Sequence, residues 1–352
     1  MIRLHIEIGV VVMARESVAT MTITEEFAAK IRRDNQKDKI MRFAPIIVLA
    51  FMIVMFSILC GPSFASFANA VTIINQLAIP LLVAIGLTFV IMIGSIDLSI
   101  NGTIGMAASL LGVFVLNTRT EMDMGMLGVL LAVLASVIVG LLIGLIHVHL
   151  KIPSFMVSFA FMFICRGIGL LSYQGRPPRI MDPILVEIPT TSFLSVPLIT
   201  WIALVIFAIC VFIQEYTAFG RYIYAVGTDE TILRSVGVSV NRVKIMVFTL
   251  AGLCFGIAGV LAGIRLGQGD VTVVGTGLMF PAQAAVVVGG TALSGGKGGV
   301  INTLVGVLIM TVLFNGLVIL GVNPYIRSGV EGLIILTAVI LTVARGAKII
   351  SK

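Results

Sequence analysis

Gly220 to Ile245 reads GRYIYAVGTDETILRSVGVSVNRVKI. It is the one long polar segment deep inside a chain that is otherwise almost continuously apolar, so whatever acts on this protein from the water side acts here. Gly227 interrupts the chain, Thr228 is a candidate N-cap, and Asp229 and Glu230 put negative charge in a first helical turn. Gly237 suits the left-handed position that ends a helix. These signals predict a helix of about two turns, too short to be stable alone and held by a partner or by flanking helices. Arg221, Arg234, Arg242 and Lys244 surround it. On the residues alone two readings stand: a loop whose charges fix membrane topology, or a surface on which a partner acts.

Working outward, the 352 residues are 59% hydrophobic and 11% charged, where soluble domains carry about 25% charge. That composition specifies an all-α, polytopic transmembrane bundle. Thirty-seven glycines favour close helix contact. The net charge of +7 is no nucleic-acid signal, because the basic residues cluster at the ends of spans.

About ten apolar runs approach spanning length: Phe43 to Cys60, Thr72 to Gly94, Gly102 to Leu116, Met124 to His147, Pro153 to Leu171, Val196 to Ile213, Val243 to Leu266, Gly275 to Leu293, Val300 to Leu320 and Arg327 to Ala344. Gly102 to Leu116 is short for a bilayer, which predicts tilt or flanking irregular backbone. The basic residues between Arg15 and Arg42 place the N-terminus in the cytoplasm, and an even span count returns Arg345, Lys348 and Lys352 there. Residues 1–42 read as a cytoplasmic arm, 43–345 as the membrane domain with its polar loop at 215–243, and 346–352 as a tail. The N-terminus is too polar for a signal peptide, and Met13 or Met21 are alternative starts. This topology puts Asn117 to Asp123 and the proline-rich Tyr173 to Ser195 outside.

Asp97, in SIDLSING from Ser95 to Gly102, is the one carboxylate in the middle of a long hydrophobic region. A charge at mid-membrane costs about 2.5–3.5 kcal/mol on insertion scales, so Asp97, with Ser99 and Asn101, reads either as a gate or hinge or as a polar turn reaching water. The stretch GGTALSGGKGG from Gly289 to Gly299 fails as a phosphate-binding loop: Thr291 stands where the first glycine belongs and Gly298 where the metal-binding hydroxyl belongs. Gly252-x-x-x-Gly256 and Gly259-x-x-x-Gly263 fit an interface between copies or packing within the chain. His147 and His149 are too few ligands for a metal site. Cys60, Cys165, Cys210 and Cys254 lie one per apolar run and read as small buried side chains. Arg166 and Arg265 read as span-end residues that snorkel, and Arg327 pairs with Glu331 at i, i+4. No Ser-His-Asp set, paired carboxylates or metal cluster is visible, so no catalytic site and no metal are expected.

Three stretches together resemble the ribose/galactose-type sugar permeases of the ABC importers. They are Gly220 to Gly237 with the basic Arg242 to Lys244, IDLS at Ile96 to Ser99, and Gly289 to Gly299. The similarity runs from about Ile74 to Ala344. It implies a bacterial inner-membrane permease that imports a monosaccharide or related small polar solute and hydrolyses nothing itself. It further implies an ABC ATPase subunit docked on Arg221, Gly227, Thr228, Asp229, Glu230, Arg234 and Gly237. No cofactor is expected here, ATP being used by that partner. An extracytoplasmic sugar-binding protein, a second permease copy and membrane lipid complete the implied partners, with no nucleic acid. Arg166 also matches an Arg-Gly that recurs in the family. The chain departs from the family pattern at Ser95, Ile100 and Asn101, which leaves the geometry of the bend around Asp97 open. The alternative reading is an ion-gradient-driven secondary transporter, for which Asp97 is the lone midplane candidate.

Overall fold

A computed structural model describes residues 43–327, 329, 330, 332–334, 336 and 337. Expectations for the arm 1–42, for Glu331, for most of the tenth run and for the tail 346–352 fall outside these residues. Contacts divide the chain into two units after Ile47. Of the first, only residues 43–47 are described and they are helical.

Among the described residues, eight helical stretches are long and apolar enough to cross a membrane. They are α1 (Phe43–Ser63), α2 (Phe67–Met92), α4 (Met126–Leu150), α5 (Ser154–Tyr173), α7 (Leu198–Tyr216), α10 (Val240–Leu266), the stretch Val271–Val288, and α13 (Val300–Ile319). A shorter apolar helix, α3 (Ile100–Phe114), makes nine of the ten expected runs. The chain is a polytopic helical membrane protein.

Helix α2 forms the centre. Ser66 caps its N-terminus by accepting from Asn69 N at 3.2 Å, and its residues from Leu77 to Met92 are buried on all sides except at Pro80. Helices α7, α10, α12 (Met279–Val288) and α13 pack around it. Helix α3, flanked by α4, α5 and α10, is buried along most of its length although its 15 residues span only about 22 Å. It begins after the irregular segment 93–99, so the expected shortfall is made up by backbone that packs against protein.

The two small-xxx-small pairs of α10 settle as packing within the chain. A Cβ on Gly252 would meet Ser136 O and Gly140 of α4, and one on Gly259 would meet Ile104 O of α3. Close backbone approach of this kind is what holds apolar helices together where burial from water drives nothing.

Two expectations change. The run from Gly275 to Leu293 is not one helix: α11 (Val271–Val274) stops at Gly275, and α12 starts only at Met279. Gly275 lies against Asn101 O and Gly277 takes φ +77°, a conformation that favours glycine. Val196 belongs not to a helix but to a hairpin, β1 (Ser192–Phe193) with β2 (Val196–Pro197), whose turn places Leu194 and Ser195 at positive φ. Between these and α5 lies α6 (Pro183–Glu187), capped by Asp182. The histidines are occupied: the Nδ1 atoms of His147 and His149 donate to Ile152 O and Leu145 O at 2.7 and 3.0 Å.

Candidate functional site

The polar segment from Gly220 is built on two short helices. Helix α8 (Ala218–Thr228) is amphipathic and takes in GRYIYAVG, with Thr217 as its N-cap accepting from Gly220 N at 3.2 Å. Helix α9 (Glu230–Ser235) follows after a single extended residue, Asp229. Asp229, not Thr228, is the N-cap of α9: its Oδ1 accepts from Thr231 N at 2.8 Å and from Thr231 Oγ1 at 2.7 Å. Thr228 ends α8 instead, donating its hydroxyl to Tyr224 O at 2.9 Å. A carboxylate facing free N–H groups outcompetes a hydroxyl for the cap. Gly237 closes α9 at φ +78°, with Gly237 N and Val238 N donating to Arg234 O and Leu233 O.

Gly227 does not break the chain. It lies within α8 because a Cβ there would collide with Met92 O and Gly296 N. This contact joins three stretches that are remote in sequence. Met92 O, at the exposed carbonyl end of α2, accepts from Gly296 N at 2.9 Å. Gly94 stacks on Ser294, and Gly295, at φ +83°, lies against Gly94 N and the Gly227 Cα. The turn 289–299 is therefore clamped between the end of α2 and the end of α8.

A second link lies alongside. Gln214, only 3% exposed, accepts from Val300 N at 2.7 Å through Oε1 and so caps α13. Its Nε2 donates to the Tyr224 hydroxyl oxygen at 2.6 Å and to Glu215 Oε1 at 2.8 Å. The Tyr224 hydroxyl donates in turn to Gly298 O at 2.9 Å. One buried amide thus ties α7, α8, the turn and α13 together, so α8 cannot shift without moving α2 and α13.

Glu230 is held within the chain. Its Oε2 lies 3.3 Å from Arg234 Nη2 and its Oε1 pairs with Lys244 Nζ at the start of α10. Burial opposes its charge, yet Lys244 and then Arg234 outweigh burial and hold the carboxyl below its usual value. Leu233 is buried under α9, while Ile232 and Val236 face outward, Val236 70% exposed. The outward face of α9 is Ile232, Arg234 and Val236, with Arg221 exposed on α8.

A family model described as the permease component of branched-chain amino acid transport systems matches residues 69–339. The chain belongs to this permease family. It is 39% identical over 298 residues to the probable ABC transporter permease protein YphD of Escherichia coli, covering 85% of this chain and 88% of that protein. It is 34% identical over 327 residues to the ribose import permease protein RbsC of Bacillus subtilis, covering 90% and 98%. It is 31% identical over 264 residues to the autoinducer 2 import system permease protein LsrC of Salmonella paratyphi B, covering 75% of each. No solved structure matches the chain.

In this permease the IDLS stretch is not a turn that reaches water: Asp97 is 1% exposed, its Oδ1 accepting from Ser99 N at 2.7 Å. The extended backbone around it is satisfied by two serines of α5, Ser154 Oγ accepting from Ile96 N at 3.1 Å and Ser158 Oγ from Leu98 N at 2.9 Å. Asn101 does separate work, accepting from Met279 N at 3.2 Å at the start of α12. Gln214, Tyr224, Met92 and the two serines were not singled out in the sequence. The serine pair was signalled by its i, i+4 spacing opposite an unpaired segment; Gln214 looked like the polar end of a span.

Helix α10 runs about 40 Å between α9 and the far side of the permease. There the loop after α3 pairs with 178–181, Thr118 N donating to Arg179 O and Met181 N to Leu116 O. Arg119, Arg176, Arg179, Thr118 and Pro177 line a cavity of about 490 Å³. Arg119 caps the end of α5 at Tyr173 O.

Proposed function

We propose that this chain is the membrane-spanning permease subunit of an ABC importer that translocates a monosaccharide or a related small polar solute across a bacterial inner membrane. The observation that carries the reading is the clamp: a short capped helix, α9, standing on the end of α8, which is locked through Gly227, Tyr224 and Gln214 to α2 and α13. A part built this way receives a push from a partner and passes it to the helices that surround the centre.

The partner at α9 is an ABC ATPase subunit, which binds and hydrolyses ATP; the permease supplies the outward face of Ile232, Arg234 and Val236 with Arg221. Glu230 serves inside the permease, fixing α9 to α10, and Gly227, Thr228, Asp229 and Gly237 shape the two helices. An extracytoplasmic binding protein delivers the solute at the opposite end, over the loops that carry Arg119, Arg176 and Arg179. Two permease copies form the passage, in contact with lipid elsewhere. Asp97 acts as the pivot between α2 and α3 rather than as an ion-coupling carboxylate.

Affinity purification of the tagged chain from gently solubilised native membranes, with mass spectrometry of what accompanies it, tests this. An ATPase subunit in near-equal amount is the expected result. Its reproducible absence from intact protein, or uptake that an uncoupler abolishes and ATP depletion does not, rejects the reading in favour of a gradient-driven transporter.

A further inference from the structure

Among the described residues of the spanning helices, Arg166 and Lys244 are the charged side chains more than a helical turn from either end of their helix, and Lys244 is paired with Glu230. Arg166 stands seven residues before the end of α5, about 10 Å along the helix. The Arg265 guanidinium, by contrast, lies one residue from the end of α10 and donates to Asn75 O at 3.2 Å. Arg166 is exposed, with no hydrogen bond or ion pair within the described chain.

The inner face of α5 is taken up by α3 and α11: Gly169 lies against Val271 and Ser109, and Gly102 of α3 approaches Met162 O closely. The other face is open. Phe159, Phe163 and Arg166 follow one another at i, i+4 and i+7, all exposed, and the two rings pack edge to face at 5.2 Å. A Cβ on Gly167 would meet nothing within 4 Å. A guanidinium left in lipid costs about 2.5–3.5 kcal/mol on insertion scales, and such residues face water or a partner group.

We propose that the Phe159, Phe163 and Arg166 face of α5 lines the solute passage, with Arg166 donating hydrogen bonds to hydroxyls of the passing sugar while the ring edges border its apolar side. This rests on the importer reading above. The chemistry fits: the guanidinium is always charged and presents several donors in one rigid plane, suited to neighbouring hydroxyls, and an aromatic pair offers contact to C–H groups without binding water. A single arginine in an otherwise apolar face also grips weakly, as a transit site must.

The test uses the complete importer, purified with its ATPase and binding protein and reconstituted in proteoliposomes. A panel of labelled pentoses and hexoses first identifies a sugar that the wild type accumulates with ATP; accumulation of none rejects the importer reading, and this inference falls with it. Arg166→Gln is expected to lower uptake kcat/KM about tenfold or more, with Arg166→Lys falling less. Unchanged uptake in Arg166→Gln overturns the proposal alone. Arg166→Cys, with Cys60, Cys165, Cys210 and Cys254 replaced by alanine, is then treated with a cationic, membrane-impermeant methanethiosulfonate. Labelling that the transported sugar slows is the expected result. No labelling with or without nucleotide means a lipid-facing arginine and overturns the proposal, as does labelling that the sugar leaves unchanged. The Gln and Lys variants retain every native cysteine, so the test survives if the cysteine-free chain fails to assemble.

Discussion

Gly227 owes its identity to what it touches rather than to its backbone angles. Since the atoms a Cβ would meet are the Met92 carbonyl and the Gly296 amide, neither of which rotates away, Gly227→Ala overpacks the clamp. It is expected to destabilise the junction by about 1–3 kcal/mol and to lower uptake per ATP hydrolysed, read by thermal melting and by paired uptake and ATPase assays. Glu230 gives a pH prediction. Its folded carboxyl titrates below the ordinary value of 4.5, so its ion pairs contribute stability above that value and lose it as pH falls through the lower, folded one. Amide exchange in residues 230–235, corrected for intrinsic rates, should be flat from about pH 6 to 8 and rise only in acid. Glu230→Gln should remove that acid step. A step that persists in Glu230→Gln would assign it to Asp229, whose carboxyl is lowered by its bonds to Thr231.

At the scale of elements, α8 and α9 behave as a lever only if α9 is seated and α8 is tied. Leu233 seats α9, and Leu233→Ala should cost about 2 kcal/mol, the lower end for a buried leucine because a six-residue helix relaxes easily. ATP hydrolysis should continue while uptake falls. Thr231→Pro removes the N–H that Asp229 accepts from and should have the same signature, with membrane insertion unaffected. Tyr224→Phe keeps the ring and deletes one hydroxyl bonded to Gln214 and Gly298. It should leave α8 folded yet reduce coupling; full coupling in this variant would show that the Gly227 contact transmits alone. Much of this was legible beforehand: the acidic first turn, Gly237 and the basic flank mark a short helix in any context. The true cap was not, because Thr228 and Asp229 are adjacent and both can cap, and only the end of α8 decides which is free to do so.

For the whole molecule, the proposed importer receives its push at one end of α10 and its solute at the other, about 40 Å away. At the far end, Arg176 and Arg179 have no carboxylate within 4 Å among the described residues and stand on loops tied by backbone hydrogen bonds. Reversing both, in Arg176→Glu with Arg179→Glu, should weaken attachment of the copurifying binding protein about tenfold and flatten its salt dependence. Arg119 is left intact in that variant because it caps α5. Surface plasmon resonance at low and high salt reads both effects, and unchanged affinity would move the docking surface off these loops.

The sequence by itself determined the class of the protein, nine apolar runs of which the structure renders eight as helices and breaks the ninth between Gly275 and Leu278, and the short capped helix, because each depends on composition or on neighbours within a few residues. The tertiary structure alone decided that the end of α2 at Met92 and Gly94, the 220–237 segment and the 289–299 turn form one junction, that the glycine pairs of α10 pack within the chain, and that Asp97 is sealed from water. Those facts rest on contacts between residues separated by up to about two hundred positions, whose partners are backbone carbonyls and amides that every residue carries and no pattern of side chains announces.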